Sequence, residues 1–302
     1  MRIRNEVGWQ QSVGRGTGPP PRRMDIQWYP GHMQRAKRKL AEQLKLIDLV
    51  LEVLDARLPE GTQNPDFDEL FAGKKRFYIL NKADLADPAV TKKWLEAFRK
   101  RGFSCAEFSA PSSDPKQLLA SIQRDVQELV ERFRQKGVAK TVRAMVAGIP
   151  NVGKSAVLNR LSVARKMKEG NKPGVTRGLQ WARITPYFEV LDTPGILMPK
   201  IENEETAAKI AAIGCIPMDI LDAESIAIYV IQILTKNSPN LLKKRYNLDS
   251  LDPDAAEVLN DICKSRGFLL KGGEIDVERG ANTVLDEFKN GKIGRVSLET
   301  PE

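Results

Sequence analysis

Apolar residues recur along the chain in two alternating rhythms. LVLEVLD (49–55), RFYIL (76–80) and TVRAMVAG (141–148) are short, nearly continuous apolar runs closed by polar loops, the pattern of strands buried on both faces. WARI with YFEVLD (181–192) reads as a hairpin. Between these runs the spacing changes to three and four. Met33, Ala36, Leu40, Leu44 and Ile47 share one helical face, while Arg35, Lys37, Arg38, Lys39 and Lys45 occupy the rest of the wheel. Leu118, Leu119, Ile122, Val126, Leu129 and Phe133 predict a second helix, with Asp114 as N-cap and Pro115 at its first position. Strand and helix alternate, so the fold expected is α/β, a largely parallel sheet covered on both faces.

Beyond about Pro199 the strand signals fade. Helices are expected around Ala207–Ile213, over Ser225–Leu234, from Asp252-Pro253 through Val258, Leu259 and Ile262, and from Asp276 through Ala281, Val284, Leu285 and Phe288 to Gly291. Residues 1–23, rich in Arg, Gly and Pro and without a helical period, read as a disordered extension, and Met24 is an alternative start. The division expected is therefore 1–23 extension, 24–199 α/β domain and 200–302 smaller α-helical domain.

Charge narrows the partner. The chain has 48 Lys plus Arg against 39 Asp plus Glu, a net +9, which favours a polyanion such as nucleic acid. A basic helix face is more often simply solvated. The longest apolar run, IAIYVIQIL (226–234), is too short to span a bilayer, so no membrane role is expected. Cys105, Cys215 and Cys263 are far apart and lack ligand spacing, which points away from disulfides and zinc and towards a reducing cytosol.

GIPNVGKS (148–155) stands after a strand and before a helix, and it matches the eight-position phosphate-binding loop. Gly148 and Gly153 let successive N–H groups turn inward, with Asn151, Val152 and Ala156 beside them. Lys154 supplies a charge for the β- and γ-phosphates, and the Ser155 hydroxyl is a candidate Mg²⁺ ligand. In DTPG (192–195), Asp192 can hold Mg²⁺ through water and the Gly195 N–H can reach a γ-phosphate, although alone the motif is equally an ordinary turn. Thr176, in the Gly-containing loop KPGVTRG, could complete the Mg²⁺ shell when the γ-phosphate is bound. NKAD (81–84) follows the strand RFYIL. The Asp84 carboxylate can accept from guanine N1–H and the 2-amino group, Asn81 can fix the loop, and the stem of Lys82 can cover the ring. Ser109-Ala110 forms a short turn able to offer the Ala110 N–H to guanine O6. Together these select GTP over ATP.

These elements resemble the Ras-like GTPases of the translation-factor class, except that NKAD and Ser109-Ala110 precede the phosphate loop. The order is circularly permuted, which a compact domain tolerates because its termini lie close together. Within the permuted class the chain resembles the ribosome biogenesis GTPase A family. WYPGHM (28–33), DARLP (55–59), NKAD, GIPNVGKS, PGVTRG (173–178) and DTPG occur in family order, and the likeness runs from about Met24 to FKNGKIGRV (288–296). Tyr29 replaces a more usual Phe. The resemblance implies a circularly permuted Ras-like P-loop GTPase domain followed by an α-helical RNA-binding domain. It also implies Mg²⁺-dependent hydrolysis of GTP to GDP, a large ribosomal subunit and its rRNA as partner in late assembly, release after hydrolysis, a cytoplasmic location, and no DNA.

Many GTPases orient the attacking water with Gln directly after the DxxG glycine, where this chain has Ile196. His32, its only histidine, is the candidate replacement, on a flexible Pro30-Gly31 approach; the competing role is a cap on the basic helix or an RNA contact. Resemblance to potassium-stimulated GTPases makes Asn151 a candidate K⁺ ligand. The rival functions are a non-catalytic GTP-dependent RNA scaffold and a GTPase acting on tRNA or a protein.

Overall fold

The computed structural model describes residues 38, 40–163, 180–198, 201, 203–216 and 222–301. Among these, six strands form one sheet in the order β3-β2-β1-β4-β6-β5: β1 (Leu49–Asp55), β2 (Lys75–Asn81), β3 (Ser104–Glu107), β4 (Val142–Ala147), β5 (Gln180–Thr185) and β6 (Phe188–Asp192). Every pair is parallel except β5 with β6, the expected hairpin at one edge.

All seven residues of β1 are buried, which accounts for its unbroken apolar run. Successive side chains go to opposite faces. Leu49, Leu51 and Val53 join a large core with α4 (Pro115–Asp125), α6 (Lys154–Val163) and the helices that follow residue 200. Val50 packs instead with Leu40 and Leu44 of α1, described over residues 40–44, and with Phe67 of α2 (Asp66–Leu70). Leu54 packs on Trp94, Leu95 and Phe98 of α3 (Pro88–Lys100), whose cap Asp87 accepts from the Ala89 and Val90 N–H groups. The sheet is thus covered on both faces, as expected.

Three local readings are corrected. The helix expected through Phe133 breaks at Val126 (φ −100°, ψ 3°) into α4 and α5 (Gln127–Arg134), and α5 buries nothing. At the break the Lys75 ammonium donates to the Asp125 carbonyl (2.6 Å). Ile47 is buried but lies beyond α1, after a turn at residues 45–46. The helix expected to open at Asp252-Pro253 starts two residues later, because Asp254 accepts from the Ala256 N–H.

After residue 200 come α7 (Glu204–Ala212), α8 (Ala223–Asn237), α9 (Pro239–Tyr246), α10 (Ala255–Arg266) and α11 (Val277–Lys289), the last capped by Asp276 as expected. Their buried faces join the same apolar core as the sheet. Residues 1–37, including the basic positions Arg35 and Lys37, lie outside the described residues.

Candidate active site

The functional loops gather at the C-terminal ends of the parallel strands, where an open sheet presents its loops on one edge. The segment 148–153 leaves β4 and turns into α6, whose first residue is Lys154. Asn151 and Gly153 hold left-handed backbone, with φ of 60° and 97°. A Cβ on Gly153 would lie 2.2 Å from Nδ2 of Asn81, so only glycine fits. The approach is close because Asn81 Nδ2 donates to the Val152 carbonyl at 2.8 Å. NKAD and the phosphate loop, 71 residues apart in the chain, are joined directly.

DTPG closes the other side. Thr193 Oγ1 donates to the Val146 carbonyl (2.6 Å), the Ile196 N–H to Gly148 (3.3 Å) and Asn64 Nδ2 to Ile196 (3.0 Å). A Cβ on Gly195 would sit 2.8 Å from Cα of Pro150 and 2.9 Å from Nζ of Lys154. Between the two loops opens a cleft of about 400 Å³, lined by Gly153, Lys154, Ser155, Ala156 and Gly195 among others.

Lys154 is buried and donates to the Ile149 carbonyl at 2.8 Å. Burial pushes its ammonium down to about 8, with Asp192 and Cys215 opposing the shift. Such a poorly hydrated cation gains strongly from an arriving phosphate. Ser155 in the cleft and Asp192 at the end of β6 offer hard oxygen donors. These suit Mg²⁺, which takes one or two protein ligands and completes its shell with phosphate oxygens and water.

The parallel register sets Asp55 of β1 opposite Asn81 of β2. Lys82 adopts left-handed backbone (φ 58°), and its Nζ lies 3.0 Å from Oδ2 of Asp55. That contact anchors the head of the side chain whose stem is the candidate cover for a base. Asp84 is exposed at the loop tip. The Ala83 N–H donates to the Phe108 carbonyl (3.1 Å), tying NKAD to the Ser109-Ala110 turn, where the Ser109 N–H donates to Ser113 Oγ (2.8 Å). Asn81, Lys82, Asp84, Ser109, Ala110, Asn151, Lys154, Ser155, Asp192 and Gly195 are therefore all brought to one edge of the sheet. Thr176 and His32 lie outside the described residues.

Arg57 had no assigned role in the sequence. DARLP carried a resemblance only, yet Asp55 and Arg57 form a fully buried pair, with Arg57 Nε donating to Oδ1 (2.9 Å) and Nη2 to Oδ2 (2.8 Å). Arg57 Nη1 also donates to the Lys289 carbonyl, 232 residues away, at 3.1 Å. The strand-end Asp and the Arg two residues on were a visible signal; their partners were not.

The comparisons fit this geometry. A family model described as 50S ribosome-binding GTPase matches residues 143–263, beginning at β4 and downstream of NKAD. Ribosome biogenesis GTPase A of Priestia megaterium is 43% identical over 281 residues, covering 92% of this chain and 98% of that protein. The chain belongs to the ribosome biogenesis GTPase A family. Like its family, it hydrolyses GTP. The mouse protein named mitochondrial ribosome-associated GTPase 1 is 31% identical and covers 96% of this chain and 97% of its own. The crystal structure of GNP-bound YlqF from T. maritima superposes with a TM-score of 0.64 at 31% identity, covering 89% of this chain and 99% of that one. In this family member Ile196 is buried beside Leu40 and Leu44, so the residue after DTPG faces apolar core and cannot hold water. Asn151 Nδ2 donates to the Gly214 carbonyl at 2.8 Å, which leaves its amide oxygen as the atom able to meet a cation.

Proposed function

We propose that this protein binds the maturing large ribosomal subunit in its GTP form and hydrolyses GTP in the cytoplasm to complete a late assembly step and leave. The observation that carries the nucleotide reading is the bond from Asn81 to Val152, which makes the guanine-reading loop and the phosphate loop one rigid unit. Asp84 accepts from the guanine edge, the Lys82 stem lies along the base, and the Ala110 N–H meets O6. Val152, Gly153 and Ala156 offer backbone N–H groups to the phosphates beside Lys154, and Gly195 reports the γ-phosphate. Mg²⁺ would neutralise charge on the β- and γ-phosphates, and Ser155, Asp192 and Thr176 are the residues that would hold it, Asp192 through water. Asn151 offers its amide oxygen to K⁺.

The partner reading is supported by the names of the relatives, together with the net +9 charge and the cluster of basic residues Arg35, Lys37, Arg38 and Lys39. Residues 200–302 form the RNA-binding region. Sedimentation with purified large-subunit precursors should retain the protein with a non-hydrolysable GTP analogue and release it with GDP, and the particles should stimulate multiple-turnover hydrolysis. Equal retention with both nucleotides and no stimulation would favour a scaffold.

With Ile196 buried, water must be oriented by another group, and His32 takes that role. His32→Ala should leave GTP affinity nearly intact and lower hydrolysis on the order of 10²-fold, most clearly with the subunit bound. Single-turnover hydrolysis at saturating subunit separates this from a pure RNA contact, which predicts weak binding and a wild-type rate.

A further inference from the structure

The last described residues run along the outside of the NKAD loop. Arg295 donates twice to its backbone, through Nε to the Ala86 carbonyl and through Nη2 to the Ala83 carbonyl, each at 2.8 Å. These two carbonyls bracket Asp84. The Val296 N–H donates to Leu85 (3.0 Å), the Asp87 N–H to Ser297 Oγ (3.2 Å), and the Leu298 N–H to the Arg57 carbonyl (2.8 Å). Beyond it, the Glu299 carboxylate accepts from the Glu60 and Gly61 N–H groups, while Trp94 Nε1 donates to the Glu299 carbonyl (3.3 Å). A Cβ on Gly291 would lie 2.6 Å from Cδ2 of Leu85, so the chain leaves α11 already pressed on the same loop.

We propose that Arg295 and the strap 295–299 are positioning elements for base selection, holding the NKAD loop so that Asp84 meets the edge of guanine at the correct height. The proposal rests on the reading that Asp84 contacts the base. Within the loop the Leu85 N–H donates to the Lys82 carbonyl (2.9 Å) and the Ala83 N–H to Phe108, and Arg295 adds support at the two carbonyls that bracket the exposed Asp84. The Arg295 guanidinium is a planar fork whose Nε and Nη2 each donate to one of these carbonyls, so a single side chain fixes both ends of the tip. The strap continues from α11, whose last carbonyl is held by Arg57, and Arg57 in turn grips Asp55 and so Lys82. Beside the bonds to Phe108 and Val152, two further supports of the loop thus trace back to residues 289–299. A ligand that shifts α11 therefore changes guanine-nucleotide affinity, and by linkage the nucleotide changes the affinity for that ligand equally.

The readout is the affinity ratio between GTP and inosine triphosphate, which lacks the 2-amino group that Asp84 accepts from. Arg295→Ala should lower that ratio roughly three- to tenfold, as expected for weakening one charge-assisted hydrogen bond in a half-exposed site. General loosening of the domain would instead weaken both nucleotides equally and leave the ratio unchanged. Arg295→Lys, which keeps the charge but loses the pre-organised planar fork, should fall between wild type and alanine, and it serves if the alanine variant does not fold. A wild-type ratio in either folded variant overturns the proposal. Asp84→Asn measured alongside keeps the two ideas apart: a normal GTP affinity there removes the base reading itself, whereas a lost affinity with an unchanged Arg295→Ala ratio removes only the strap.

Discussion

Asp84→Asn should weaken GTP binding by about 10³-fold and make xanthosine triphosphate the preferred ligand, because a site built to pair a polar edge rejects the wrong edge strongly. In the proposed base site the carboxylate accepts from both N1–H and the 2-amino group of guanine. An amide turns one acceptor into a donor aimed at that amino group, and two donors then face each other. Xanthine has an oxygen at the same position and accepts. The loop should remain in place, since its supports, Ala83 to Phe108, Asn81 to Val152 and Arg295 to Ala83 and Ala86, do not involve the Asp84 side chain. Titration calorimetry with the two nucleotides decides it. Equal GTP affinity in wild type and variant would remove Asp84 from the base site.

The second large effect is structural. Asp55→Ala should cost about 3–5 kcal/mol of stability, the range for leaving one member of a buried ion pair without its partner. Asp55 is fully buried and receives the Arg57 N–H, Nε and Nη2 together with the Lys82 ammonium. Burial alone would raise its carboxyl, but Arg57 and Lys82 hold it well below the usual carboxylate range. A depressed folded value means that the stabilisation is complete above the unfolded value of ~3.9 and fades only as pH falls towards the folded one. Acid should therefore remove this contribution only in strongly acidic solution, while the alanine variant lacks it throughout. Urea unfolding at neutral pH measures the difference, and a loss below about 1 kcal/mol would show that the cluster is solvated and weak. Lys82 would also lose its anchor, so nucleotide affinity should fall in the same variant.

What the sequence made legible was local. The phosphate loop, DTPG and NKAD each hold their chemistry within eight residues, and the strands before them are mostly buried, so run length sufficed. Helix caps at Asp114 and Asp276 were legible for the same reason. The break at Val126 was not, because the apolar period continues across it and the contact made there, Lys75 to the Asp125 carbonyl, comes from β2. Nor was the role of Arg57 or Arg295, each bonded to backbone carbonyls more than 200 residues away. A carbonyl has no side-chain identity, so no residue pattern could announce these acceptors.

The strap also bears on the order in which the protein is made. A permuted chain emerges with β1, β2 and NKAD well before the phosphate loop, so the half of the pocket proposed to read the base is made before the half that would take the phosphates. Completing that half requires Arg295 to return across 209 residues to Ala86, one of the longest closures in the chain and correspondingly slow to find. If the strap positions the loop as proposed, the NKAD loop leaves the ribosome well before the residue that supports it, and a truncation that removes residues 295–299 should bind guanine nucleotides less selectively.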